Sequence, residues 1–519
     1  MTSVGSTPRH RAARSTVCLV CLSVLAALVG LSCNATTQSL DRTGDEDSLF
    51  ISQETVRTIA TIGLLESAQS DSTSTQFAGA PAYLVDLIVS DGLRELSGTM
   101  EVIYTHRHPL PVNEIAFHLH ANGIGGQITV ETASVDGDPA TLRVSERGTV
   151  AWIGLEQDLH DGESTRIGLS FTAVVPTSNA VHYGILNTDR ETASLAHLLP
   201  LIAVFDGQWR IDSPSDYGDV LFGDAGFYLV GLEIPAGVTV AGTGIEASQS
   251  TLPSGRIHVT LTAGPVRELY LALLTDSQVV TTTAGDTVIR VYAPPQQAER
   301  AKLAGDLIAS ALASFGGWFG DYPFTEMDVV VGPTRAVGME FPGAILIGES
   351  TFFQSSLDPV SRVGGPSFFE IVLVHETAHQ WFHTIVGNDQ VNLPWLDESA
   401  VQFVTWQHAE ARYGVSGDEA FEQWLQNTYL RGGMPEAPLG LPTSAYSTSS
   451  YASVIYGKGP LFYASIEDEY GEEAILAALR QYTSTFRWEN GTTAGMRDAL
   501  ESSCGCSLGP WFEAWVYAN

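Results

Sequence analysis

The stretch Val374-His375-Glu376-Thr377-Ala378-His379, with Trp395-Leu396-Asp397-Glu398 downstream, decides how this chain is read. Histidines four residues apart lie one above the other on a helix face and can grip one metal ion from the same side. A catalytic zinc takes three protein ligands and keeps one position open. Glu376, beside the first histidine, stands where a carboxylate can serve as general base. Ser367-Phe368-Phe369-Glu370, preceded by Pro366, has the form of a capping box. The apolar run that follows describes a buried helix, expected to continue to Gly387-Asn388. A second helix, over residues 395–413, is opened by Pro394 and closed by Gly414. Folded back by a short loop, it brings Glu398 opposite the histidines, so that His375, His379 and Glu398 form a His2Glu zinc set. His383 sits a further turn along a straight helix, about 6 Å past His379, and is read as a bystander.

These residues resemble the gluzincins of the M1 aminopeptidase family. The pattern His-Glu-x-x-His, then eighteen residues, then Glu is shared. So are the flanks, His375-Glu376-Thr377-Ala378-His379-Gln380-Trp381-Phe382, Val386-Gly387-Asn388-Asp389-Gln390 and Pro394-Trp395-Leu396-Asp397-Glu398. The resemblance runs from about residue 81 to the C-terminus, with its sharp motifs after Val337. It implies one zinc per chain and a multidomain fold: an N-terminal antiparallel β saddle or sandwich, then a thermolysin-like, mainly helical α+β catalytic domain. The closing stretch Leu508-Gly509-Pro510-Trp511-Phe512-Glu513-Ala514-Trp515-Val516 resembles the end of the family's catalytic domain. The expectation is therefore the short bacterial type, without the C-terminal helical domain that caps the cavity in the long aminopeptidases, and with a more open cleft.

At 519 residues, two or three domains are expected, and 44% hydrophobic residues suffice for sizeable cores. The net charge of −34 lacks the basic footprint that nucleic acid requires. It is read as an acidic solvated surface. Arg9, Arg11 and Arg14 precede an apolar run over 17–31, so residues 1–33 have the form of a signal peptide, too short to span a bilayer. Gly30-Leu31-Ser32-Cys33 resembles a bacterial lipoprotein processing box. That implies an exported protein held at the outer face of the cell membrane through a lipidated Cys33, with free secretion and a retained anchor as alternatives. Residues 34–80 are expected to be a polar linker, with an amphipathic helical pattern over 51–68. Cys18 and Cys21 leave with the signal. Cys504 and Cys506 remain, close enough for a tight disulfide and without further ligands for a second zinc.

From 81 to 284 the hydrophobic period is two. Strands are expected over 83–89, 96–104, 114–120, 149–155 and 164–173, with turns such as Asp136-Gly137 and Asp161-Gly162. His118 and His120 share a strand face by this count and are read as ordinary strand residues. The Gln-x-Glu motif and the following loop, by which the family's long members hold a substrate amine, have no match. Residues 198–207 and Tyr217-Gly218-Asp219 resemble the shorter bacterial relatives instead.

The catalytic part is expected over 285–519, with a strand at 287–293, a helix at 298–319 and a buried strand at 327–331. Val337-Gly338-Met339-Glu340-Phe341 resembles the family's Gly-x-Met-Glu-Asn strand, departing from it at Val337 and Phe341. The resemblance implies that Gly338 and Met339 pair with an extended peptide substrate and that Glu340 binds its N-terminal ammonium. Tyr451-Ala452-Ser453-Val454-Ile455-Tyr456-Gly457-Lys458-Gly459 resembles the Tyr-x-Lys-Gly stretch. It implies Tyr456 as oxyanion donor and Tyr451 as a second tyrosine lining the pocket. Asp397 is expected to orient a ligand from behind.

Together these residues describe peptide hydrolysis, with Glu376 passing a proton from attacking water to the leaving amine. An aminopeptidase is the expected function. The alternatives are an open-cleft endopeptidase and a cell-surface peptide-binding protein with the same fold and little turnover.

Overall fold

The computed structural model describes residues 51–72, 74–189, 191–213, 215–353 and 364–517. The expected signal segment, with Cys33, and the start of the polar linker lie outside them. Alternating apolar residues build an eight-stranded sheet in the order Ile245–Thr251, Ile257–Val266, Gly226–Ile234, Ala82–Val89, Glu95–Thr105, Ser164–Val174, Gln127–Val135, Asp138–Pro139. In Ala82–Val89, Leu87 and Val89 are buried while Ile88 between them is 52% exposed, as side chains on opposite faces should be. One pair departs from the antiparallel pattern: Ala82–Val89 runs parallel to Gly226–Ile234, with Tyr83 and Tyr228 stacked at 4.4 Å. Parallel neighbours need a long crossover. The chain supplies it by passing through two four-stranded sheets on the way. His118 ends its strand and His120 opens a 3-10 turn, so they do not share a strand face, yet their rings stack at 4.5 Å.

Residues 51–80 are no free linker. Ser52 caps the helix Gln53–Ala60 by accepting from the Thr55 amide at 3.1 Å. Val56, Ile59, Leu64 and Phe77 are buried, and Phe77 meets Phe227 edge-on at 5.3 Å. The Leu65 amide donates to Pro323 at 2.8 Å, and Asp71 accepts from Arg487 at 2.7 Å. A few apolar residues, each contributing about 1.5–3 kcal/mol on burial, outweigh the polar composition.

The second domain opens with a five-stranded sheet, ordered Gln278–Ala284, Thr287–Ala293, Glu326–Gly332, Ala344–Gly348, Gly338–Phe341. Its first strand lies ahead of the expected boundary at 285. Gly285 (φ 59°) and Asp286 close a two-residue hairpin, which pairs Gln278–Ala284 with Thr287–Ala293. The helix Ala298–Phe319 lays Ala301, Ala304, Ile308 and Phe315 over the sheet and against the helix Phe368–Ala378. The rest of the domain is helical, to Gly509–Trp515, and Cys504 and Cys506 are joined by a disulfide.

Arg267 staples the domains together. It is 1% exposed, and its guanidinium donates to Gly223 O, Asn490 Oδ1, Glu489 O and His383 O at 2.8–3.2 Å. The rigid fork of donors suits four acceptors from three separate segments. Burial lowers its pKa to about 10, so it remains charged at neutral pH.

Candidate zinc centre

The helix Phe368–Ala378 starts where the sequence placed it, with Ser367 accepting from the Glu370 amide at 3.1 Å. Glu370 does not complete a capping box. It is drawn away to Tyr413 Oη at 2.6 Å and Arg412 at 3.0 Å. The helix also ends nine residues before Gly387, at Ala378, with His379 as its cap. Beyond it the chain turns tightly, with Thr384 N bonding to His379 O and Ile385 N to Gln380 O. The turn lets Phe382 O accept from His379 Nδ1 at 3.0 Å, which aims Nε2 at the site.

Glu398 is the first residue of the helix Glu398–Tyr413, and Asp397 Oδ1 caps its amide at 2.9 Å. Three ligand atoms converge. His375 Nε2 and His379 Nε2 are 3.3 Å apart, and Glu398 Oε2 lies 3.1 and 3.4 Å from them. A tetrahedral zinc with ligands at about 2.0–2.2 Å requires edges of about 3.3–3.6 Å, so two edges of this buried triangle match the ion and the His375–Glu398 edge need open by only a few tenths of an ångström. Burial raises the pKa of Glu398, but hydrogen bonds from His375 and His379 outweigh it and hold the carboxyl well below its usual range, in the ligating form.

The triangle opens on a cavity of about 340 Å³ lined by Gly338, Met339, Glu340, Glu376, Asp219 and Tyr456, among others. A larger hollow of about 500 Å³ on the eight-stranded sheet has no histidine in its lining. Burial, then the charges of Glu340 and Glu398, push Glu376 well above the ordinary carboxyl range. Gly338 leaves space for the base, because a Cβ there would run into the Glu376 carboxylate. Glu340 is 5% exposed on the sheet's edge strand. Its Oε1 accepts from Gln390 Nε2 at 3.1 Å, and the same amide nitrogen reaches Asp397 Oδ2 at 2.9 Å. Gln380 ties the strand to the zinc helix, its amide bonding Gly343 N and Phe341 O, each at 3.0 Å.

Tyr456 lies in a π-helical turn, Ala452–Lys458, and donates to Glu398 Oε1 at 2.5 Å. Tyr451 corrects an expectation: it does not line the cavity. The π turn sets it one layer back, buried among Tyr217, Tyr446 and Tyr456 at ring distances of 5.5–6.0 Å. The second tyrosine of the cavity is Tyr183, from the β domain, whose hydroxyl accepts from Gly218 N at 3.3 Å. Asp219 enters on the same loop, its carboxyl held well above the usual range by burial and by Glu340 and Glu398. Sequence reasoning missed Tyr183, Asp219, Gln380 and Gln390 as site residues. Gln380, Gln390 and Asp219 stand inside stretches quoted for the resemblance, and Tyr183 lies in the short 3-10 turn His182–Gly184 without a signal of its own.

A multi-sheet β domain, a helical domain and a buried His2Glu set beside a carboxylate base define the build of a gluzincin-type zinc peptidase. Residues 306–515 match the Peptidase family M1 domain. The M1 zinc metallopeptidase from Deinococcus radiodurans shares the fold, with a TM-score of 0.62 and 19% identity over 84% of this chain and 94% of that one. Alanine/arginine aminopeptidase of Saccharomyces cerevisiae is 24% identical over 52% of this chain and 33% of its own length. Aminopeptidase N of Streptomyces lividans is 25% identical over 51% of this chain and 31% of its own length. The chain thus spans about a third of the length of these curated relatives. Zinc is the cofactor that the family implies and the ligand triangle fits.

Proposed function

We propose that this chain is a zinc aminopeptidase that removes N-terminal residues from peptides. The observation that carries the reading is the place of Glu340: its carboxylate, that of Glu376 and a His379 nitrogen lie within 4.8 Å of one another. That spacing leaves room for a single residue, at about 3.3–3.6 Å per residue, between an ammonium held at Glu340 and the bond attacked. The relatives named as aminopeptidases support the same reading. Zinc, when bound, supplies a Lewis acid that lowers the pKa of water and polarises the scissile carbonyl. Glu376 takes the proton from the attacking water and delivers it to the leaving amine. Tyr456 offers its hydroxyl to the developing oxyanion. The edge strand Gly338–Phe341 offers backbone groups to an extended substrate.

A peptide tested with a free and with an acetylated N-terminus decides it. The free peptide is expected to be cleaved at least about a hundredfold faster in kcat/KM; equal rates would remove the aminopeptidase reading. Glu376→Gln is expected to abolish turnover with zinc retained. An exported location, attached through Cys33, is the accompanying proposal. It rests on the arginines and apolar run of residues 1–33, and labelling of the chain with a radioactive fatty acid, lost in Cys33→Ala, is the expected result. Among the described residues no helix is long and apolar enough to cross a membrane.

A further inference from the structure

We infer that His383 is a positioning residue for the substrate's amine: held from the β domain by Glu268, it sets the place of Glu340 in the cleft. The inference rests on the reading of Glu340 as ammonium anchor. Because the zinc helix stops at Ala378, His383 does not continue along it. Instead its ring drops beneath the site, edge-on to His379 with centroids 6.4 Å apart. One of its nitrogens, a Glu340 oxygen and an Asp397 oxygen lie within 4.8 Å of one another. From the β domain, Glu268 Oε1 stands 3.4 Å from His383 Nε2, an ion-pair distance without a formed hydrogen bond, and Glu268 Oε2 is 2.8 Å from His197 Nδ1.

Every one of these side chains is buried. An imidazole and a carboxylate in an apolar interior are costly unless paired, and a packing role alone would be met better by leucine. The backbone adds a second cost in the same place. Both histidines that flank Glu268 have positive φ, 50° at His197 and 155° at His383, a region that side chains other than glycine rarely adopt. Burial raises the pKa of Glu268, yet His197 and His383 outweigh it and hold it at about 2, so the β domain presents a fixed negative charge to His383. Gln390 spaces Glu340 from Asp397. Glu340 is therefore approached by Gln390 and by His383 while still lining the cavity. The gap between Glu340 and Asp397 is bridged by an amide, so these carboxylates do not form a second metal site.

The test compares His383→Leu, His383→Gln, Glu268→Gln and Glu340→Gln in steady-state cleavage of one free-amine peptide, with zinc content and circular dichroism measured on each. His383→Leu is expected to raise KM about tenfold while kcat changes less than about threefold and zinc stays at one per chain. His383→Gln, which keeps a donor, is expected to recover most of that loss, and Glu268→Gln to raise KM in the same direction. A fall in kcat at unchanged KM, or no change in either, overturns the inference. Should the leucine variant fail to fold, Glu268→Gln decides on the same criterion. If Glu340→Gln raises KM and the His383 and Glu268 variants do not, this inference alone fails. If Glu340→Gln leaves KM unchanged, the ammonium reading fails and takes the inference with it.

Discussion

Tyr456 Oη donates to Glu398 Oε1 at 2.5 Å, while Oε2 of the same carboxylate faces His375 and His379. The phenol is thus one carboxylate away from the ligand triangle. Burial and the charge of Glu398 push its pKa well above the ordinary range, so it stays a donor. Tyr456→Phe removes that donor and leaves the three ligands in place. Its kcat is expected to fall about 10²–10³-fold with KM little changed. Kinetics together with metal analysis check this, since loss of zinc would show a ligand-holding role instead.

Gly338 makes a sharper prediction. Its missing Cβ is the space occupied by the Glu376 carboxylate. Gly338→Ala is expected to lower kcat at least about tenfold with zinc retained, because the base must shift away from the reacting centre. A crystal structure of the variant should show Glu376 displaced.

Removing the metal tests the triangle. A ligand present at about a hundred times its Kd stabilises the folded state by about 2.7 kcal/mol. Chelation is therefore expected to abolish activity and lower Tm by about 2–3 °C. One equivalent of zinc should restore both, and calorimetry with and without chelator reads the shift.

Glu467 predicts a pH dependence away from the site. Burial, then repulsion from Glu410, Glu472 and Asp468, raises its carboxyl to about 7, against a bond from Gln407 at 3.0 Å. The folded state therefore holds this proton more tightly than the unfolded chain. Its contribution favours folding below about 4.5 and is lost as pH rises from there to about 7. Glu467→Gln is expected to raise Tm by about 2–4 °C at pH 8 and to leave it nearly unchanged at pH 4.5. Melting curves of both proteins across that window check the sign.

The chemistry of the zinc helix was legible because its information is local: His375, His379 and Glu376 sit within five residues, and Glu398 follows on the next helix. What the sequence concealed depends on how the chain turns. No helix-breaking residue marks the stop at His379, and Trp381 and Phe382 just beyond it are buried. The expected domain boundary at 285 falls inside the hairpin that Gly285 and Asp286 close. Tyr183 and Asp219 reach the cavity from segments far upstream of the motif, and no periodicity marks them. Tyr451 and Tyr456 are five apart, and only the π turn between them decides which one sees the cleft.

The Arg267 staple has a consequence for anyone wishing to reuse this catalyst. The half that carries the chemistry is not portable. A fragment begun at residue 285 would lack the sheet's outer strand Gln278–Ala284 and leave the carbonyls of His383 and Glu489 without the guanidinium that joins them. The β domain is accordingly part of the active site's scaffolding, and grafting the peptidase onto another carrier would have to take both halves together.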